Sequence, residues 1–159
     1  MKYLARTATG DPLLGDEDGY VPLTSVHPGL DSVRGALPRA ASGTLGSPDD
    51  ATAARTGESK LTFGAPLERF GKLWGIGLNY VEHAGDLDED GPDEPASFFK
   101  PRSALTAPGG PIRLPPPSET ERVTAEGELG VVLGRTCRDA SEPDVDDVVA
   151  GYLPVIDMT

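Results

Sequence analysis

The sequence predicts an α+β fold that is mainly β, with a small β-rich N-terminal region ahead of a larger β-dominated unit. Three observations predict it. The 159 residues include 20 glycines and 16 prolines, and hydrophobic residues make up only 37 %, a balance that favours short strands and many turns over long helices. Apolar runs are short and are separated by turn signals throughout. One stretch, Thr124 to Gly134, alternates polar and apolar side chains in the manner of a half-buried strand. A compact chain of this length buries about 68 to 70 % of its unfolded surface, enough for one domain or for a small domain joined to part of a larger one.

Residues 1–37 set short apolar runs (Tyr3-Leu4, Leu13-Leu14, Tyr20-Val21-Pro22-Leu23) between turn signals at Gly10-Asp11-Pro12 and Asp16-Glu17-Asp18-Gly19. The pattern is that of a small β-meander. Residues 38–60 are rich in Ala, Ser, Gly and Thr without periodicity, the composition of a linker or loosely held segment. A domain boundary is therefore expected there, dividing residues 1–60 from residues 61–159. His27, before Pro28, reads as a surface loop residue.

The second unit opens with Leu73-Trp74-Gly75-Ile76-Gly77-Leu78, an apolar run with glycines where another backbone must approach closely. Asn79 follows as a good N-cap, and a helical turn after it puts His83 and Asp86 on one face at i, i+3. A carboxylate beside an imidazole fixes its tautomer and stabilises its protonated form, as a general base requires; a surface histidine in a helical ion pair has the same spacing. Asp86 to Pro95 is an acidic loop, either an exposed excursion or a lid. Ala96 to Pro101 reads as a strand with Ala96, Phe98 and Lys100 on one face, and a lysine there suits a substrate carboxylate as a point charge. Pro108-Gly109-Gly110-Pro111 is a tight turn, Ile112-Arg113-Leu114 a short strand, and Pro115-Pro116-Pro117 a stiff connection.

In the strand Thr124–Gly134, alternation places Glu126 and Glu128 on one face with Gly130 and Val132, and Leu129, Val131 and Leu133 on the other. The second is expected to be a core face and the first a site. Acid-any-acid spacing also occurs at Asp86/Asp88, Asp88/Asp90, Glu119/Glu121 and Asp144/Asp146, so spacing alone decides nothing. Glu126 and Glu128 differ because they run directly into an apolar strand. Their Cα atoms are roughly 7 Å apart, and both can converge on a hard cation with oxygen ligands. Asp144 to Val149 reads as a short helix, Tyr152 to Ile156 as a buried strand, and Asp157 at its end offers a third carboxylate. Without a cation, two such carboxylates repel by about 4 kcal/mol at 4 Å and an effective dielectric of 20, so the cluster needs a metal or raised pKa values.

A net charge of −12 argues against nucleic acid and anionic membrane surfaces as partners. With only four lysines and acids spread along the chain, the composition resembles either a protein of high-salt cytoplasm or an acidic mesophilic enzyme. A single cysteine, Cys137, excludes an internal disulfide and a Cys-based zinc site. No charged-then-apolar leader opens the chain, and no apolar run approaches about 18 residues. A cytoplasmic location is expected.

Four ordered blocks now stand together: Trp74-Gly75-Ile76-Gly77-Leu78-Asn79-Tyr80 with His83; Phe98-Phe99-Lys100-Pro101-Arg102-Ser103-Ala104-Leu105; Glu126-Gly127-Glu128-Leu129; and Ala150-Gly151-Tyr152 leading to Asp157. In order and spacing they resemble the fumarylacetoacetate hydrolase family over about residues 70–159, while residues 1–60 match its variable N-terminal region only in position. The resemblance implies a mixed β-sheet roll, a homodimer, and Mg²⁺ or Mn²⁺ held by Glu126, Glu128 and Asp157. It further implies a 2-oxo acid or 1,3-diketo acid as substrate, His83 with Asp86 as the proton-moving dyad, Lys100 steadying substrate charge, and Asn79, Tyr80, Arg102 and Ser103 at the substrate. Family members often carry glutamate where this chain has Asp86. The implied reaction is C–C bond hydrolysis beside a metal-polarised carbonyl. Alternatives are dehydration of a 2-keto-3-deoxy sugar acid, hydratase, isomerase or decarboxylase chemistry of the same family, or an inactive truncated fragment. Because the family's domain continues beyond the aspartate, an unpaired strand edge and uncovered apolar surface are expected.

Overall fold

The computed structural model describes residues 1–77 and 94–159. It forms two compact units, one made of Met1–Glu68 with Ala107–Thr159 and the other of Arg69–Thr106. Among the described residues no helix is long and apolar enough to cross a membrane.

In the first unit, β1 (Tyr3–Arg6), β2 (Pro12–Asp16) and β3 (Gly19–Pro22) form the expected antiparallel meander in the order β1-β2-β3. Its turns fall where glycine permits positive φ, at Gly10 (109°) and Gly19 (126°). A side chain at Gly15 would collide with the Tyr20 ring, its Cβ lying 2.4 Å from Cδ1. That glycine thus lets Tyr20 lie flat across β2 and reach Phe63, ring centroids 5.3 Å apart.

The segment expected to be loose is instead tied down. A short helix α1 (Leu23–Val26) and a longer one, α2 (Val33–Ala41), follow the meander. Ser32 caps α2 by accepting a hydrogen bond from the Gly35 N–H at 3.2 Å, and Val33 and Ala36 are buried. Pro38 lies inside this helix. Its missing N–H removes one turn's hydrogen bond, but burial of Val33 and Ala36 holds the turn closed, which local composition does not reveal. Leu14, Val21, Leu23, Ala36 and Leu45 form the core, with Leu4, Val26, Leu30, Ala40 and Ala51 packed around it. Further along, Thr56 and Tyr20 exchange backbone hydrogen bonds of 2.9 and 2.7 Å, and Gly64 N–H donates to the Arg6 carbonyl at 2.8 Å. Both edges of the meander are covered in this way. Arg55 donates to both carboxylate oxygens of Asp16 and, at 2.6 Å, to Asp49. His27 is half-buried rather than a free surface residue: its Nε2 accepts from the Gly46 N–H at 2.9 Å.

Also in this unit, β6 (Ala125–Leu133) and β7 (Val149–Met158) form an antiparallel pair. Two expectations fail around it. Ile112–Leu114 adopts no regular secondary structure. In place of a helix over Asp144–Val149 there is a 3-10 turn, Glu142–Asp144, capped reciprocally by Ser141 and Asp144, because Asp and Val are poor helix formers. In the second unit, β4 (Leu73–Gly77) pairs antiparallel with β5 (Ala96–Lys100), Trp74 opposite Phe99 and Gly75 opposite Phe98.

Two outcomes follow for stability. Leu14 is fully buried, so Leu14→Ala should lower unfolding free energy by about 2 to 5 kcal/mol, read from urea melts. The hydrogen bonds from Arg55 hold the Asp16 carboxyl below its ordinary value of 3.8. A depressed folded-state value means the unfolded chain takes up the proton first, so this contribution is present in full above that ordinary value and is lost as pH falls through the lower folded one. Asp16→Asn should therefore melt below wild type at neutral pH, with the gap closing below about pH 4.

Candidate functional site

The site begins with side-chain alternation in β6. Glu126, Glu128, Gly130 and Val132 share one face. The ladder places Glu126 directly opposite Asp157, and Glu128 opposite Val155. Asp157 therefore lies on the same face as both glutamates, as a direct neighbour of one and a diagonal neighbour of the other. All three carboxylate residues are half-buried. Beside them, Thr124 and Thr159 exchange backbone hydrogen bonds of 2.7 and 3.0 Å and close the end of the ladder. Gly130 forms the floor: a Cβ there would lie 2.9 Å from Val155 Cγ2 and 3.1 Å from Leu153 Cγ. Its lack of a side chain lets Leu153 and Val155 fold across β6 next to the carboxylates.

The opposite face differs from expectation. Leu129, Val131 and Leu133 were expected to line a core, yet they are 61, 52 and 51 % exposed, and Tyr152 and Ile156 beside them are 64 and 67 % exposed. The better-shielded face is the one bearing the acids. On the carboxylate side, Leu153 and Val155 of β7 supply apolar cover.

Like-charged groups directly opposite each other across a strand pair are destabilising, so Glu126 facing Asp157 marks a place that a cation would relieve. The donor chemistry fits a hard divalent ion, since all three side chains offer carboxylate oxygens. Among the described residues no three His, Cys, Asp or Glu side chains are already drawn together as a metal cluster. The strand pair thus places the three carboxylates on one face without drawing them together.

In the other unit, Lys100 ends β5 opposite Leu73. The Phe98 ring lies over Gly75, where a Cβ would be 2.3 Å from Phe98 Cζ, and Lys100 Nζ sits 5.4 Å from the Phe98 centroid. Gly75 thus serves a ring within the strand pair, not the approach of a further backbone. Alternation puts Ala96, Phe98 and Lys100 on one face, as expected. Arg102 and Ser103 follow in an exposed 3-10 turn, Arg102–Ala104. Asn79, Tyr80, His83 and Asp86 lie outside the described residues. Gly134 and Ala150, which the sequence offered only as the end of the β6 run and as part of an Ala-Gly-Tyr block, meet at the far end of the β6–β7 pair.

Residues 72–159 match the model of the fumarylacetoacetate (FAA) hydrolase C-terminal domain. A protein of Burkholderia ambifaria named as a hydrolase is 38 % identical over the whole chain, which covers 56 % of that protein. The mitochondrial oxaloacetate tautomerase of Bos taurus is 39 % identical over 59 % of this chain and 43 % of its own length. Among solved structures, maleylpyruvate hydrolase of Sphingobium sp. SYK-6, in complex with manganese(II) and pyruvate, superposes with a TM-score of 0.75 at 29 % identity, covering 99 % of this chain and 58 % of that one. The chain thus spans about half the length of the relatives it matches. With that domain matched over more than half of its residues, the chain belongs to the fumarylacetoacetate hydrolase family.

Proposed function

We propose that this chain carries the divalent-metal half of an active site that works on 2-oxo acids or 1,3-diketo acids, by hydrolysis of a C–C bond or a closely related step. The observation that supports it most is the cross-strand placement of Asp157 opposite Glu126, with Glu128 on the same half-buried face. Glu126, Glu128 and Asp157 would hold Mg²⁺ or Mn²⁺. A manganese ion and pyruvate in the maleylpyruvate hydrolase relative support both the metal and the 2-oxo acid end of the substrate. When bound, the metal supplies Lewis-acid polarisation of a carbonyl oxygen.

The remaining roles fall to the chain's own groups. Lys100 presents an ammonium suited to a substrate carboxylate, and Arg102, Ser103, Asn79 and Tyr80 contact the substrate. His83, oriented by Asp86, takes a proton from water or substrate and returns it. The shorter reach of Asp86 demands a close approach of the two side chains. The protein works as a homodimer. A hydrolase and a tautomerase both stand among the relatives, so family membership leaves the reaction open. Turnover measured on acylpyruvates, oxaloacetate and 2-keto-3-deoxy sugar acids separates hydrolysis, tautomerisation or decarboxylation, and dehydration.

Two measurements check the reading. Calorimetric titration with Mn²⁺ should reveal one site, and Glu128→Gln should weaken it more than about 10-fold, since even loss of a ligand's supporting partner typically costs 10- to 100-fold. Unchanged affinity in that variant removes the metal assignment. His83→Ala should lower turnover by about 10²- to 10⁴-fold without unfolding the chain. His27→Ala, which strips the acceptor from the Gly46 N–H, should lower melting temperature and leave turnover within a few-fold; equal losses of turnover would overturn the assignment of His83.

A further inference from the structure

The register that brings the carboxylates together is poorly specified by the two strands themselves. On β7, Leu153 and Val155 point with Asp157, while Tyr152, Pro154 and Ile156 point the other way. Both faces are apolar, so the alternation that normally selects one register over its one-residue slip is weak.

The observed ladder contains an irregularity that settles the choice. Leu133 pairs with Val149, but Val132 pairs with Gly151, leaving Ala150 as the extra residue of a β-bulge. Continued without that bulge from Leu133 and Val149, the ladder would set Val132 against Ala150 and move every later partner by one. Ala125, not Glu126, would then face Asp157, whose side chain would pass to the face opposite Glu126 and Glu128.

Ala150 is held from outside the strand pair. Gly134 is buried, and a Cβ placed on it would lie 2.5 Å from the Leu37 carbonyl oxygen, 2.7 Å from Ala41 Cβ and 3.0 Å from Ala150 Cβ. Helix α2 and the bulge residue therefore meet across this glycine. The Gly134 N–H also donates to the Val148 carbonyl at 2.7 Å, fixing the chain just before the bulge.

We propose that α2, docked over Gly134 and Ala150, locks the β-bulge and so holds Asp157 on the face of Glu126 and Glu128. Gly134 is then a positioning residue, and the N-terminal region is the element that sets the register of the carboxylate strands. The consequence for metal binding rests on the reading of those carboxylates as ligands; the consequence for register does not.

The test uses Gly134→Val in the full chain with two readouts. Interstrand nuclear Overhauser cross-peaks, recorded without metal, report the register directly. Manganese binding followed by electron paramagnetic resonance reports the site. Forcing α2 away should move the partner of Gly127 from Ile156 to Val155 and weaken Mn²⁺ by about 10- to 100-fold. Deleting Ala150 from the same variant lets Val149–Leu133 continue directly into Gly151–Val132, so the original partners and the Mn²⁺ affinity should return, a rescue that general loss of stability would not produce. If Gly134→Val fails to fold cooperatively, Gly134→Ala with and without the Ala150 deletion is read in the same way. Original cross-peaks with unchanged affinity in the glycine variants, or no recovery on deleting Ala150, would overturn the lock. Failure of the wild-type chain to bind Mn²⁺ would instead remove the metal reading, and the cross-peaks would still decide the register.

Discussion

The antiparallel pairing of β6 with β7 is the constraint on which the site depends. Side chains alternate strictly along a strand, so a shift of one residue moves a whole set to the other face. Glu126 and Glu128 share a face by local sequence alone. Asp157 joins them only because the ladder sets it opposite Glu126. The three acids are therefore a product of register before they are a product of charge.

That pairing carries an electrostatic cost. Carboxylates opposed across a ladder repel, and half-burial strengthens the repulsion by lowering the local dielectric. Proteins retain such arrangements where a ligand compensates them. The covering side chains Leu153 and Val155, brought in over Gly130, contribute to the same effect by limiting water on the acidic face.

The N-terminal region is more than an appendage. Its core of Leu14, Val21, Leu23, Ala36 and Leu45 fastens α2 to the meander, and α2 in turn abuts the β6–β7 pair at Gly134. Rigidity in the meander is thus transmitted to the strands that bear the acids through one small-residue contact. The Arg55 network with Asp16 and Asp49 ties the 45–64 segment down on the same body. The demand on this region is steric, a close contact of Ala41 and the Leu37 carbonyl with Gly134, and not a particular chemistry.

Much of this was legible in the residues themselves. The meander strands, the Pro108–Pro111 turn, the β5 strand, and the common face of Glu126 and Glu128 all follow from short-range alternation and turn chemistry, which depend on neighbours a few positions apart. The ordered blocks ending in Asp157 carried the family. What sequence alone left open depends on distant partners. Helix α2 runs through Pro38 because burial of Val33 and Ala36 outweighs local propensity, and the Ala- and Ser-rich stretch after it is anchored by hydrogen bonds to Tyr20 and Arg6 that no local pattern encodes. The exposure of Leu129, Val131 and Leu133 could not be read from alternation, which separates two faces without saying which is covered. Nor could the bulge at Ala150, since β7 is apolar on both sides and the packing of α2 against Gly134 joins residues far apart in sequence.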